Sequence, residues 1–446
     1  MSFYREKARL VLYAALFAVL AFSNVWAQEA AATVAVKAVK AVELSCDRGD
    51  QLYSVGDQAQ VTIRVVAEDD QPLEAGSVTV QFTNGGRDLL RSETFDLAAA
   101  NPITVETTLD FPGYLLIKAA ATSNTPDAKP VTALLGLGFD PEKIEPGLPK
   151  PDDFDTFWAE GKAQVRALAL DLVQERMDSL CSDRHEVFSV SFATVNDRRV
   201  YGFLSLPVGD GPFPALVSVP GAGPGVGPNT AMADAGFAML DMNVFPYPVP
   251  LDGQVRQKAY DDYNAQRDNR YCLWDAADRD LYFFRPVYLG IDRAIDWFAA
   301  QPFVDSERIG CFGSSQGGAS ALILTGMNRH IKAAVSAVPA LCDHAGLLKG
   351  RSPGWPQLVD AYNGDEAVLQ ASRYLDAVNF ARAIDVPIRV TVGFIDQTCP
   401  PSSVWSAFNV IESSDKRMIL EQKLGHANGK GYQDALEWLK ATVRRE

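Results

Sequence analysis

The stretch Ile309-Gly310-Cys311-Phe312-Gly313-Ser314-Ser315-Gln316-Gly317-Gly318 constrains the fold more than any other part of the chain. It places Gly-x-Ser-x-Gly directly after a predicted strand and directly before a predicted helix, Gln316–Met327. Side chains at 313 and 317 would collide as that strand and helix pack around the turn, which accounts for the two glycines. Such a turn lifts Ser315 Oγ above the end of a sheet. It also sets the Gln316 N–H at a helix N-terminus, where the dipole favours a developing oxyanion. The five-residue pattern is weak alone and specific in this strand-turn-helix setting.

The surrounding sequence agrees. Strands are predicted at Val187–Phe192, Val200–Leu206, Ala215–Val219, Phe237–Met242, Arg308–Phe312, Ala333–Val338, Ile388–Gly393 and Met418–Gln422. They alternate with helices at Asp155–Leu172, Tyr288–Ala300, Gln316–Met327, Pro401–Glu412 and Gly431–Val443. This alternation describes a mostly parallel sheet with helices on both faces, an α/β-hydrolase fold over residues 154–446. Residues 41–139 have a different period: short alternating runs such as Gln60–Val65, Ser77–Phe82, Ile103–Glu106 and Tyr114–Ile117, separated by Asp69-Asp70, Asn84-Gly85-Gly86 and Pro112-Gly113. They predict a small immunoglobulin-like β-sandwich, without the Cys…Trp…Cys core of antibody domains. Between the two, Pro141, Pro146, Pro149 and Pro151 mark residues 140–153 as a stiff linker or a wrapping segment.

Residues 1–27 stand apart from both. Arg5, Lys7 and Arg9 precede an uncharged apolar run from Leu10 to Phe22, and Asn24-Val25-Trp26-Ala27 closes it. This is the order of a secretory signal peptide with cleavage after Ala27, and the run is too short for the roughly 20 residues a membrane span needs. A secreted or periplasmic chain with no stable membrane insertion is expected. Losing Arg5, Lys7 and Arg9 together with Glu6 takes the formal charge from −15 to −17, which repels polyanions and excludes nucleic acid as a partner. The six cysteines are sparse and form no Cys-x-x-Cys, and the four histidines form no His-x-x-x-His, so no metal site is predicted.

A nucleophilic serine needs a base, and the base an orienting acid. In this fold both follow later strands, in the order serine, acid, histidine. His426, in Leu424-Gly425-His426-Ala427-Asn428-Gly429, follows the last predicted strand and is the expected base. His344 is a minor alternative, while His185 and His330 are read as surface residues. Asp396 follows the strand Ile388–Gly393 and is the expected acid, with Asp343 as its rival; Asp385 precedes that strand and faces away. The loop Val219-Pro220-Gly221-Ala222-Gly223-Pro224-Gly225 follows the third predicted strand. Its Ala222 N–H is the expected second oxyanion donor beside that of Gln316. Gly221-x-Gly223-x-Gly225 lacks dinucleotide-loop spacing and is interrupted by Pro224.

At these residues the chain resembles the acetyl xylan esterase / cephalosporin C deacetylase group, carbohydrate esterase family seven. The resemblance runs from Pro151 to the C-terminus. It is carried by Asp152-Asp153-Phe154-Asp155-Thr156-Phe157-Trp158, Tyr282–Leu289 with Arg293-Ala294, and Val304-Asp305 with Arg308-Ile309. Gly313-x-Ser315-Gln316-Gly317-Gly318, Asp396-x-x-Cys399-Pro400-Pro401-Ser402 and Gly425-His426 complete it. It implies removal of small acyl groups, chiefly acetyl, from sugar hydroxyls, with no metal or cofactor. Three positions depart from the family pattern. Pro220-Gly221 replaces His-Gly and is followed by Ala222 instead of a bulky aromatic; Asn243-Val244-Phe245-Pro246 replaces Arg-Gly-Gln; His426-Ala427 replaces His-Glu. The family's ring-shaped hexamer is not carried over, since an added sandwich can obstruct it, and the oligomeric state stays open.

The expected function is therefore an exported serine carboxylesterase acting on an acetylated carbohydrate such as xylan. Tyr247, Tyr271, Trp274 and Trp355 are candidates for stacking on a sugar face. A prolyl-oligopeptidase-like peptidase shares fold and residue order but needs a gating domain and a charged pocket for the peptide terminus. A non-catalytic glycan-binding protein would not need the complete Ser, Asp and His set.

Overall fold

The computed structural model describes residues 37–125, 127–267 and 270–444. The expected leader at 1–27 and its cleavage point after Ala27 lie outside these residues. Among the described residues no helix is long and apolar enough to cross a membrane.

Eight strands come first: β1 (Val39–Cys46), β2 (Leu52–Tyr53), β3 (Ala59–Ala67), β4 (Gly76–Asn84), β5 (Asp88–Asp96), β6 (Ile103–Thr107), β7 (Gly113–Ser123) and β8 (Val131–Phe139). They form one sheet in the order β1-β3-β6 and a second in the order β2-β8-β7-β4-β5. Alternation explains the pairing: Val61, Ile63 and Val65 of β3 and Val78, Val80 and Phe82 of β4 turn inward, and the residues between them turn out. The four runs expected from the sequence all lie inside strands. β5 lacks that signal: its sequence DLLRSETFD is an outer strand with no fully buried side chain, so nothing apolar alternates.

Residues 140–153 wrap against the second unit rather than bridging open space. Ile144 is buried in that unit's core, and Asn409 Nδ2 donates to the carbonyls of both Pro141 and Ile144 at 2.9 Å. The Gly147 amide donates to Asp343 Oδ1 at 2.7 Å.

The second unit is built on nine strands: β9 (Val173–Arg176), β10 (His185–Thr194), β11 (Arg198–Pro207), β12 (Phe213–Ser218), β13 (Ala238–Met242), β14 (Val304–Ser314), β15 (Ile331–Ala337), β16 (Ile388–Gly393) and β17 (Lys416–Glu421). They line up as β17-β16-β15-β14-β12-β13-β11-β10-β9, parallel from β17 to β13 and antiparallel beyond. The longer helices are α1 (Phe154–Ala167), α2 (Gly253–Asn264), α3 (Phe284–Ala299), α4 (Gln316–Met327), α5 (Pro401–Asn409) and α6 (Lys430–Arg444). α6 shows how they seat: Ala435, Leu439 and Val443, four apart, pack on Leu216, Phe312 and Val335 of the sheet. α3 and α4 are buried on nearly every side. These are the elements of an α/β-hydrolase fold, preceded by an N-terminal β domain.

Strand order reverses at β12, which lies between β13 and β14 although it precedes both in the chain. Open α/β sheets present their ligand crevice at such a switch point, beyond the carboxyl ends of the strands. Here those ends lead into residues 219–229 and into Ser315. The 219–229 loop is held from β13. The buried Asp241 carboxylate accepts from Ser218 Oγ at 2.6 Å and from the Asn229 amide at 2.8 Å, one at each end of the loop. Asn243, also buried, bonds both the amide (3.1 Å) and the carbonyl (3.3 Å) of Val226 at its middle.

Burial raises the Asp241 carboxyl from 3.8 to about 6, with its two donors acting in the opposite direction. An acid raised on folding adds stability that is fully present below about pH 4 and is lost as pH rises to about 6. Asparagine keeps a hydrogen bond to both partners, because the Ser218 hydroxyl can accept as well as donate. In thermal melts, Asp241→Asn is expected to gain on the wild type as pH rises from about 4 to about 6, and to hold a constant difference above that range. A difference that is flat across that window rules this titration out.

Candidate active site

The strand β14 ends at Ser314, α4 begins at Gln316, and Ser315 between them has φ 60° and ψ −120°. That conformation costs a non-glycine residue about 1–3 kcal/mol and persists only where the surroundings enforce it. The enforcement is visible in the two glycines. A Cβ at Gly317 would stand 2.1 Å from the Val219 carbonyl oxygen, and one at Gly313 would stand 2.3 Å from the Gly317 carbonyl oxygen. The Ser315 amide is fixed by the Ala337 carbonyl at 2.9 Å.

Ser315 Oγ lies 2.8 Å from His426 Nε2, and His426 Nδ1 lies 2.8 Å from Asp396 Oδ2. A carboxylate only accepts, so the neutral imidazole carries its proton on Nδ1 and leaves the Nε2 lone pair to the serine hydroxyl. The other oxygen, Asp396 Oδ1, accepts from the amides of Thr398 (2.8 Å) and Cys399 (2.9 Å), and the carboxylate is fully enclosed. The histidine ring remains about one quarter exposed. The acid is therefore the enclosed end of the chain, while the histidine and Ser315 both keep some exposure.

The acid and histidine loops are zipped together by main-chain bonds from Phe394 N to Glu421 O (3.1 Å) and Ile395 N to Leu424 O (3.2 Å). Gly393 allows this closeness, since a Cβ there would stand 2.4 Å from the Gly425 carbonyl oxygen. Ser314 Oγ donates to Asn428 Oδ1 at 2.6 Å and ties the histidine loop to the elbow. Sequence reasoning singled out neither Gly393 nor the Ser314–Asn428 pair. Their only signal is adjacency to Ser315 and His426.

The rival candidates stand outside this hydrogen-bonded chain. Asp343 accepts from Arg351 Nη2 at 2.7 Å and from the Gly147 amide. His344 is buried with no partner on either ring nitrogen, and burial lowers it from 6.5 to about 4. His185 was expected at the surface and is instead buried, with Nδ1 2.7 Å from Asp234 Oδ1 and Nε2 3.0 Å from the Leu180 carbonyl oxygen. His330 is half-buried in the turn just before β15.

Gln316 N is the first amide of α4 and has no intrahelical acceptor. Its buried side chain accepts from Tyr271 Oη and donates to the Pro220 carbonyl at 3.4 Å, linking the helix to the neighbouring loop. That loop passes beside the serine: the Cβ position of Gly221 lies 3.4 Å from Ser314 O and 3.9 Å from Ser315 Cβ. Ala222, the next residue, is exposed.

The four aromatic candidates divide. Tyr271 and Trp274 are 2% and 9% exposed inside a cluster with Phe245, Tyr263 and Phe283, so neither offers a face to a sugar. The correction has a physical reason: each polar tip already has a hydrogen-bond partner within the protein, Gln316 Oε1 for Tyr271 and the Arg267 carbonyl for Trp274 at 2.7 Å. Tyr247 and Trp355 are half-buried, and the Trp355 amide donates to the Thr398 carbonyl of the acid loop at 2.9 Å.

Among the described residues one group of potential metal ligands comes together, Asp396, Cys399 and His426, with donor atoms within 4.8 Å. Its chemistry fits a hydrogen-bonded relay better than an ion. The carboxylate is occupied by the imidazole and two amides, and burial beside that carboxylate pushes the Cys399 thiol well above its ordinary range, keeping it protonated.

Comparison with known proteins agrees with this architecture. The family described as acetyl xylan esterase (AXE1) matches residues 142–442. Acetyl esterase Axe7A of Xylanibacter ruminicola is 27% identical over 413 residues, covering 89% of this chain and 90% of that protein, so the likeness extends into the N-terminal β domain. Two solved structures share the fold of the α/β unit. The acetyl xylan esterase from Paenibacillus sp. R4 has a TM-score of 0.58 and 24% identity, and acetyl xylan esterase 1 from Thermoanaerobacterium sp. JW/SL YS485 a TM-score of 0.58 and 22%. Each alignment covers 68% of this chain and 98% of the other. With a family match across the whole α/β unit and the motifs noted in the sequence lying inside it, the chain belongs to the acetyl xylan esterase family of carboxylic ester hydrolases.

Proposed function

We propose that this protein is an exported serine esterase that removes acetyl groups from carbohydrate hydroxyls, with acetylated xylan or xylo-oligosaccharides as its substrate class. The hydrogen-bonded chain Asp396–His426–Ser315, at 2.8 Å per link, carries the reading. Ser315 Oγ attacks the acetyl carbonyl as His426 Nε2 takes its proton; the tetrahedral intermediate collapses, His426 returns the proton to the sugar oxygen, and an acetyl-serine remains. Water then repeats the sequence and releases acetate. Asp396 fixes the imidazole tautomer and stabilises the imidazolium that forms in each half. The oxyanion is assigned to the Gln316 and Ala222 amides. One such donor is worth roughly 2.7–4 kcal/mol in the transition state.

The sugar preference draws on two observations. Ala222 leaves the wall beside the oxyanion site open where the family places a bulky aromatic, which admits an ester on a chain as well as a small one. The acidic surface, −17 without residues 1–27, is compatible with a neutral glycan and opposes a polyanionic one. The names of the relatives support the same class.

With p-nitrophenyl acetate, Ser315→Ala and His426→Ala are each expected to lower kcat by about 10⁴-fold or more, and Asp396→Asn by roughly 10⁴-fold. Wild-type turnover in either of the first two variants makes the assignment wrong. Acetate release is expected to be faster from acetylated xylan than from acetyl pectin, with the gap narrowing as salt screens the surface charge. A preference for pectin at low salt overturns the substrate class and leaves the serine chemistry standing.

A further inference from the structure

The β-sandwich packs on the loop that carries Asp396. Along β7 successive side chains serve two cores: Leu115 lies in the sandwich, while Tyr114 is buried in the core of the α/β unit. The Tyr114 ring meets Phe394 edge-on, with centroids 5.2 Å apart at 89°, and its hydroxyl accepts from Trp405 Nε1 of α5 at 3.3 Å. On β8, Gly136 pairs with Leu116 and sits so close to the acid loop that a Cβ would stand 2.1 Å from the Phe394 carbonyl oxygen. At the β4–β5 turn, the Cβ position of Gly85 lies 2.9 Å from Ser402 Oγ, and Asn84 Nδ2 donates to the Lys349 carbonyl at 3.0 Å. A cavity of about 140 Å³ between the units is lined by Gly86, Tyr114, Asp396 and Gln397, so this flank of the acid loop faces the sandwich.

We propose that the N-terminal sandwich positions the acid of the hydrolase site, with Tyr114 and Gly136 as positioning residues that fix Phe394 and, two residues on, Asp396 against His426. The inference rests on the serine-esterase reading above. The acid loop is gripped on one side by the histidine loop, through Phe394 N and Ile395 N. On the other side it is gripped by Tyr114 and Gly136, so moving either contact moves the Phe394 peptide. A displacement of about 1 Å in a reacting constellation costs on the order of 10²-fold in rate.

The test uses the full-length chain and p-nitrophenyl acetate, with kcat, KM and Tm measured for Gly136→Ala, Tyr114→Leu, Tyr114→Phe and Val80→Ala. Gly136→Ala and Tyr114→Leu are expected to lower kcat roughly 10- to 100-fold with little change in KM. Tyr114→Phe keeps the ring against Phe394 and should restore kcat to near wild type. Val80, buried in the sandwich core, is the control: Val80→Ala should lower Tm and leave kcat intact. Wild-type kcat in both Gly136→Ala and Tyr114→Leu overturns the inference, and so does an equal loss in Val80→Ala. Should Gly136→Ala fail to fold, the Tyr114 pair decides alone. Ser315→Ala in the same assay separates the two ideas: activity surviving in it overturns the serine reading and this inference with it. An inactive Ser315→Ala beside undiminished Gly136→Ala and Tyr114→Leu overturns this inference only.

Discussion

The enclosed carboxylate of Asp396 is the interaction on which the rest of the site depends. A buried charge is tolerated only where its lone pairs are used. Asp396 meets this requirement with the amides of Thr398 and Cys399 on one oxygen and His426 Nδ1 on the other. The two amides leave the carboxylate no freedom to rotate away. The imidazole is thereby held in the tautomer that turns its Nε2 lone pair toward Ser315.

The backbone around that carboxylate is organised for close approach. Gly393 lets the end of β16 touch the histidine loop, Gly313 and Gly317 let α4 close over β14, and Gly136 lets β8 reach the acid loop. Each replaces a side chain with a direct main-chain contact, and main chain moves less than side chain. Farther out, Asp241 and Asn243 hold the 219–229 loop from the neighbouring strand, and Gln316 reaches across to its Pro220 carbonyl. The 219–229 loop carries Pro220 and Ala222 where the sequence resemblance implies a histidine and a bulky aromatic. Its bracing depends on main-chain groups and on β13, so those departures leave it in place.

Much of this was legible in the residues themselves. Gln316–Met327 and Ile388–Gly393 occur at their expected bounds: the Gly-x-Ser-x-Gly turn fixes where the helix starts, and Ile388, Val390 and Val392 alternate with Arg389 and Thr391 along the strand. Ser315, Asp396 and His426 could be chosen because this fold admits only certain strand ends. The misreadings share one cause. Tyr271, Trp274 and His185 carry polar tips that read as surface or substrate-facing groups, and a sequence does not reveal that a hydrogen-bond partner within the fold waits for each of them. The outer strand β5 was missed for the converse reason, since one paired edge and no buried side chain leave little pattern to find.

The sequence by itself determined the elbow, the change of period near residue 140, and the order serine, acid, histidine, because strand, turn and helix signals are local and glycine spacing is a local steric requirement. Only the tertiary structure decided which groups meet. Asp343 and His344 were chemically eligible, and the fold gave one to Arg351 and enclosed the other without a partner. It also decided that the sandwich is not set apart from the site, because Tyr114 and Leu115, adjacent along one strand, point to opposite faces and therefore into two different cores.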